Sequence, residues 1–463
     1  MTGKVDIRNS EVGDDDGKQW PQIISVLAVS LGSYTSGMLF VWSSPFTLVI
    51  VQDKENYNIS EDDASYFIIF HPAGMIFASL FFFKIAELLG RKKAVLFLSV
   101  PHILSWLITM FSTTKWEFYL ARFVAGMSDT CSFCSIPPYV GEITTPKVRG
   151  FWGNIPTFIL YGGQLSITVL GSYFGVKTTA YICICVPVLF ALLVSFLPES
   201  PYQLMRDERY EAAKDSIRWL RRNNNVEEDF VAMKADVERQ MSESGRWKDI
   251  FTIISNRRAL RAGAFLRFSQ QMCGIAVFAS YTQPVFEKAG GNVSPQVSSM
   301  ILIGLYWILN LVTSPAIERF GRRLSFFYSL LCCGTVLVLL SIFFLLDQYQ
   351  TVDLTSTNWF PLVGMLLWAF SYSFGLGVVP TLMLGELFSS SIKSKGLCIL
   401  IACYGLGVFV STNMFKFLTA SVGLYSSFLI YGICCLCSTV LTLKWVPETK
   451  GKTLEEIQQT LKK

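Results

Sequence analysis

Twelve stretches of this chain approach the length that an α-helix needs to cross a bilayer, about 20 mostly apolar residues. They run close to Pro21–Ser43, Ala64–Ile85, Ala94–Ser112, Trp116–Val140, Phe151–Phe174 and Thr179–Leu197, then Leu260–Phe286, Ser294–Ile317, Leu324–Leu346, Trp359–Met383, Gly396–Leu418 and Leu424–Val446. Six precede a long polar segment, Glu199 to Asn256, and six follow it. In lipid each backbone polar group must be satisfied within the protein, so a chain built this way is expected to be an all-α membrane protein. Only 16% of the 463 residues are charged and 52% are hydrophobic. Soluble domains carry about 25% charged residues, and a water-soluble enzyme has nowhere to bury so much apolar surface.

Pro72 with Gly74, Pro137 with Pro138, and Pro380 predict breaks inside three of the stretches. The polar segment is too charged to cross; it carries helical patches at Arg209–Arg222 and Phe230–Met241. The first nineteen residues are acidic and lack the pattern of a secretory signal. The expected organisation is a disordered tail over 1–19, a first six-helix bundle over 20–198, a linker over 199–258, a second bundle over 259–446 and a tail over 447–463.

Arg91, Lys92 and Lys93, then Lys147 and Arg149, then Arg319, Arg322 and Arg323, and finally Lys393 and Lys395 fall in loops on one side. The positive-inside rule makes that side cytoplasmic, together with both termini. The opposite first loop carries Asp53, Glu55, Glu61, Asp62 and Asp63, and the acceptor triplet Asn58-Ile59-Ser60. A second triplet, Asn292-Val293-Ser294, lies on the same side and is followed by Pro295. Both are candidate N-glycosylation sites, although so short a motif also arises by chance.

The net charge of +5 is spread between apolar runs, which does not fit a nucleic-acid partner. All 12 cysteines lie in apolar runs, as small hydrophobes do. Cys131 and Cys134 form one CxxC without a second pair, so no metal or other cofactor is expected. No nucleophile triad or phosphate loop is legible, so the chain does not read as an enzyme.

The charges repeat. Glu142 is followed seven residues later by Arg149, and Glu386 seven residues later by Lys393. ELLGRKK (Glu87 to Lys93) and ERFGRRL (Glu318 to Leu324) sit at matching places in the two halves. Repeats of this kind are the usual build of secondary transporters. With RFVAG (Arg122 to Gly126), PYVGEITTPKVRG, LPESPYQLM, SQQMCGI (Ser269 to Ile275), GELFSSSIK and VPETKGKTLEEI, the chain resembles the sugar-porter branch of the major facilitator superfamily over its whole length. WSSP (Trp42 to Pro45) and IPT (Ile155 to Thr157) are most similar to arthropod trehalose-transporter-like members.

The resemblance implies two six-helix bundles of the major facilitator fold that rock about a central site, with a small-molecule sugar as substrate and the lipid bilayer as surroundings. It implies facilitated transport at the plasma membrane by a monomer. It also implies a cytoplasmic gate of Arg91, Glu142, Arg149, Glu318, Arg322, Glu386 and Lys393, pairing within and across the halves when that face is shut. Lys393 departs from the usual arginine and lacks its planar fork.

Gln270 and Gln271 match the family's sugar-binding amides, and interhelical amide bonding is the competing role. Thr157, Ala276, Tyr306, Thr381 and Gly405 replace usual polar or aromatic contacts, so recognition of ordinary glucose is in doubt. Tyr161, Gln164, Tyr281 and Thr282 are candidate replacements, with Thr381 itself also placed to contact substrate. Asp129 lies inside a span, seven residues after Arg122, and either pairs with it or carries a proton. The alternatives to a sugar uniporter are a transport-poor sensor, a proton-linked symporter and a carrier of a non-sugar solute.

Overall fold

Proline positions decide where several of these stretches bend. Pro has no N–H and its ring crowds the carbonyl four residues earlier. In the computed structural model the helix Trp20–Val41 stops four residues before Pro45, and Ser43–Gln52 continues it. The same spacing separates Arg91–Phe97 from Ser99–Phe111 ahead of Pro101. It separates Pro146–Trp152 from Ile155–Tyr173 ahead of Pro156, and Val176–Cys183 from Cys185–Ser195 ahead of Pro187. The structure describes residues 18–223, 226–242, 245–289, 293–350, 357–388, 392–450, 452 and 454–462. The acidic stretch before residue 18 and the acceptor Asn292 lie outside them, as does the side chain of Glu318.

Two of the expected breaks do not occur. Glu61–Ser79 runs through Pro72, and Lys115–Ile143 runs through Pro137 and Pro138. These two helices pack closely where the first runs through Pro72. A Cβ at Gly74 would collide with the Phe123 carbonyl, and one at Gly126 with the His71 carbonyl. Across this seam Arg122 Nε donates to the Phe67 carbonyl at 3.3 Å and the Thr130 hydroxyl to the Met75 carbonyl at 2.9 Å. Neighbouring side chains thus serve backbone carbonyls beside the proline. Pro380 is no break either: it opens the helix Val379–Glu386, where its missing N–H has no cost, and the interruption lies just before it, after Phe360–Ser373.

Helix occupies all twelve apolar stretches, and no strand occurs among the described residues. The seventh is divided into Ile254–Met272, Ile275–Ser280 and Thr282–Ala289, with Gly274 at φ 88° between the first two. The remaining stretches are Pro295–Phe320, Arg322–Gln348, Lys393–Ser421 and Leu424–Trp445. Among the described residues, six helical stretches are long and apolar enough to cross a membrane by length and composition alone. Several of the rest are the interrupted ones, as expected where a polar site interrupts the apolar pattern.

The second half packs around one apolar core that includes Phe278, Phe326, Trp368 and Tyr431. The first half has two, around Trp42, Phe67 and Phe118 and around Val95, Tyr139 and Phe190. Ala279 and Ile303 of the second half join the former, so the halves touch through side chains. The linker folds on itself: Pro201–Arg206, Tyr210–Arg221 and Glu227–Ser242 bury Leu204, Ile217, Phe230 and Val237 together. The segment after residue 446 is more than a tail. Leu454–Lys462 is a helix that buries Ile457 and Leu461 in the second-half core, and Arg258 donates to the Leu461 carbonyl at 3.1 Å.

Candidate functional site

The break at Gly274 ends a helix face that carries Arg267, Gln270 and Gln271, three polar residues at i, i+3 and i+4. All three are buried. Gln270 is fully engaged. Its Nε2 donates to the Leu376 carbonyl at 2.8 Å and to the Tyr372 hydroxyl at 3.2 Å, and its Oε1 accepts from Arg267 at 3.0 Å. Gln271 is the opposite case: neither its Oε1 nor its Nε2 has a partner, although the residue is 0% exposed. Buried amides are normally paired, and leaving one unpaired costs about 1–3 kcal/mol. An unpaired buried amide of this kind is a candidate point of ligand contact.

Aromatic side chains close around these amides. Tyr372 stacks on Trp368 at 5.5 Å, and Tyr306 stands edge-on to both, at 5.9 and 6.0 Å. The hydroxyls of Tyr306 and Tyr281 are buried without partners. From the first half, Tyr161 stacks on Tyr306 at 6.3 Å and Phe158 on Trp307 at 5.3 Å. Tyr404 faces Arg267 at 5.3 Å and meets Phe133 of the first half at 5.7 Å. The cluster therefore lies where the halves meet. It offers amides, hydroxyls and ring faces, the groups that bind a polyhydroxylated ring.

Other candidates stand apart. Thr157 occupies the first turn of Ile155–Tyr173, two turns from Gln164, and Thr381 is exposed. Gln164 is buried where its helix crosses Trp20–Val41 beside Gly37. Tyr281 packs its ring on Phe415 at 4.9 Å. Thr282 turns its hydroxyl back to the Phe278 carbonyl. Asn58 is exposed at φ 42° in the loop before Glu61–Ser79.

Asp129 does not hydrogen-bond Arg122. Its Oδ2 lies 3.0 Å from His71 Nε2, both side chains buried, while Oδ1 has no partner. Arg122 instead donates to the Leu39 and Phe67 carbonyls and lies over the Trp42 ring at 5.5 Å.

The repeated charges form two clusters, one per half. Arg91 Nε meets Glu142 at 2.9 Å, and the Ser200 hydroxyl donates to the other oxygen of Glu142. Arg322 meets Glu386 at 3.3 Å, and the Thr449 hydroxyl donates to the other oxygen of Glu386. Each arginine opens a helix just after a glycine with positive φ, Gly90 at 83° and Gly321 at 91°. A second acid covers each helix start. Glu199 accepts from the Lys92 and Ser200 backbone N–H groups, and Glu448 from those of Arg322, Arg323, Thr449 and Lys450. Burial alone would raise the Glu448 carboxyl; those four donors outweigh it and hold it below its ordinary value.

Arg149 takes no part in the first pair. It folds back onto the carbonyls of Gly141 and Thr144, at the end of the helix before it. Burial, and then Arg149 from the other half, push the Lys393 ammonium below its ordinary value against the pull of Glu386. Both ion pairs thus stay within their own half, and the Arg149 charge of the first half acts on Lys393 of the second.

Arg267, Tyr372 and Tyr404 were not anticipated. Arg267 had a signal, a charge set well inside the apolar stretch Leu260–Phe286, unlike Arg261 at its edge, the same rule that singled out Asp129. The tyrosines had none, because aromatic residues are common throughout the spans.

Residues 26–461 match the family described as Sugar (and other) transporter. Among curated proteins, the facilitated trehalose transporter Tret1 of Polypedilum vanderplanki is 28% identical over 96% of this chain and 88% of its own length. Tret1 of Anopheles gambiae is also 28% identical over 96% of this chain, which spans only 56% of that protein. For Trehalose transporter 1 of Drosophila melanogaster the values are 28%, 96% and 52%, so the chain covers about half of these longer relatives. Among solved structures, the proton:xylose symporter XylE bound to 6-bromo-6-deoxy-D-glucose superposes with a TM-score of 0.77 at 21% identity, over 96% of this chain and 100% of that one. A partially occluded inward-open form of XylE from E. coli gives 0.75 at 18% identity, over 93% and 99%.

Proposed function

The chain belongs to the Sugar (and other) transporter family, a family of membrane transporters and not of enzymes, and from that premise we propose that it carries a sugar, trehalose or a hexose, by facilitated alternating access. The observation that supports this reading best is Gln271, an amide with both ends unpartnered and 0% exposed, next in sequence to the Gln270 that bonds Tyr372 and Arg267. In this reading Gln270, Gln271, Tyr281, Tyr306 and Tyr161 hold the solute, and Gln164, Thr157 and Thr381 lie further from it. Segments 20–198 and 259–446 rock about the site, joined by 199–258, with 447–463 docked by its terminal helix. The pairs Arg91–Glu142 and Arg322–Glu386, with Arg149, Lys393 and Glu318, govern the face they share. That face is cytoplasmic, with both termini, in a monomer at the plasma membrane, and Asn58 is the exposed glycan acceptor.

A second reading has one observation in its favour, the buried His71–Asp129 contact at 3.0 Å. A titratable pair inside a span suits proton-linked transport. Uptake of labelled trehalose and glucose into cells, with surface protein measured, separates the two. Saturable uptake indifferent to outside pH is expected. Uptake confined to acidic outside pH and abolished by Asp129→Asn transfers the case to symport. Absence of either uptake, with protein at the surface, ends the neutral-sugar reading. At the site itself, Gln271→Leu is expected to weaken binding about tenfold without loss of thermal stability, because the substitution breaks no hydrogen bond within the protein. Gln270→Leu is expected to lower both.

A further inference from the structure

Arg267 sets this site apart from one made for a neutral ring. It lies seven residues inside the stretch that begins at Leu260, about 10 Å along a helix. It is 9% exposed. A guanidinium at that depth is expected to meet a carboxylate, since burying an unpaired charge is costly. Among the described residues no carboxylate lies within ion-pair distance of it, and its Nε has no hydrogen-bond partner. What it has is neutral: the Gln270 carbonyl oxygen at 3.0 Å and the Tyr404 ring at 5.3 Å. Nor is it placed at random. It shares a helix face with Gln271, whose unpartnered amide is one turn further on.

We propose that the solute carried by this site bears an anionic group, a carboxylate, that pairs with Arg267 while its hydroxyls meet Gln271 and the tyrosines. The preferred substrate class is then a sugar acid, with neutral sugars as weaker solutes of the same site. This refines the transport reading above and rests on it. A carboxylate fits better than a phosphate: one guanidinium has one charge to neutralise, and a dianion would leave a second charge buried. The planar fork of arginine also matches a carboxylate edge, with the free Nε as one of its donors. The solute completes a buried ion pair that the protein alone leaves open, so the charge is a recognition device.

The test uses the purified full chain in proteoliposomes, with labelled D-glucuronate, D-glucose and trehalose as probes. Glucuronate uptake is expected to be saturable and to outrun both neutral sugars. An inside-positive potential should accelerate it, since a net negative charge crosses. Arg267→Gln is expected to reduce glucuronate uptake about ten- to a hundredfold and glucose uptake by much less, and Arg267→Lys to restore part of the glucuronate loss. Glucose or trehalose uptake that glucuronate neither matches nor competes with overturns the anionic assignment and leaves sugar transport standing. Failure of the wild type to carry any of the three overturns both. Glucuronate uptake unchanged in Arg267→Gln removes Arg267 from the site. The wild-type competition decides the substrate class even if the variants fold poorly.

Discussion

At the end of the fourth apolar stretch, Glu142 takes Arg91 on one oxygen at 2.9 Å and the Ser200 hydroxyl on the other; at the matching place in the second half, Glu386 takes Arg322 at 3.3 Å and the Thr449 hydroxyl. The plan is one plan, yet its strength is distributed differently. In the first half the ion pair is short and the capping acid Glu199 collects two backbone donors. In the second half the ion pair is longer, Arg322 Nε is buried without a partner, and the capping acid Glu448 collects four. A duplicated unit can thus keep its frame and still tie one copy together through side chains and the other through backbone. If the clusters govern opening, the second pair is the one poised to yield.

The sharpest way to break this comparison is to neutralise each acid in turn. Glu142→Gln is expected to reduce transport per molecule at the surface about tenfold, and Glu386→Gln by less, since each pair is partly buried and worth about one or two kcal/mol. The measurement is initial uptake normalised to surface protein. Equal losses would mean that bond length does not rank the two clusters. No loss in either would return these charges to fixing topology alone.

The capping acids reverse the order. Glu448→Gln is expected to lower stability by about 1 kcal/mol, and Glu199→Gln by about half of that, in line with side chains that satisfy helix-start donors. Glu448 also supplies a pH test. Its carboxyl is depressed in the folded protein, so its contribution is complete above the unfolded value of 4.5 and is lost as pH falls through the lower folded value. Thermal unfolding in detergent between neutral and acidic pH should show this acid-side loss in the wild type and a smaller one in Glu448→Gln. Identical acid sensitivity in the two proteins would refute the assignment.

The same two clusters mark how far the sequence could be read. Spans and repeat were legible because hydropathy and charge spacing act locally: twenty apolar residues have few options in lipid, and an acid-base figure that recurs must sit at equivalent places. The partners of each charge were less legible. Glu142 and Arg149 suggested a pair by their spacing, but the backbone between them turns at Thr144 and Thr145, which aims Arg149 at its own helix end. Asp129 suggested Arg122 along its own helix and met His71 on the next one. Pro72 looked like a break and is not one, because Gly74 and Gly126 let two helices close around it. In the last two cases a neighbour distant in sequence decided the outcome; in the first, the local turn of the backbone did. Arg267 shows the converse, a residue whose anomaly is local and readable, since a cation well inside an apolar run is costly in lipid whatever surrounds it.

The smallest effects concern the two cations that face each other across the halves. Arg149 is held by the carbonyls of Gly141 and Thr144, and its charge reaches Lys393. Arg149→Ala removes a helix-end contact and relieves that repulsion at once, so its net effect on stability is expected within about 0.5 kcal/mol, with a clearer effect on transport rate. Lys393→Arg isolates the second half. An arginine there offers Glu386 a planar fork that an ammonium lacks, which should strengthen the weaker cluster and bring it nearer to the first. Uptake is expected to slow by about twofold or less, and the gap between the Glu142→Gln and Glu386→Gln losses to narrow when both are repeated in the Lys393→Arg background. If that gap is unmoved, Lys393 acts on Arg149 rather than on Glu386, and the asymmetry between the halves lies in Arg322 alone.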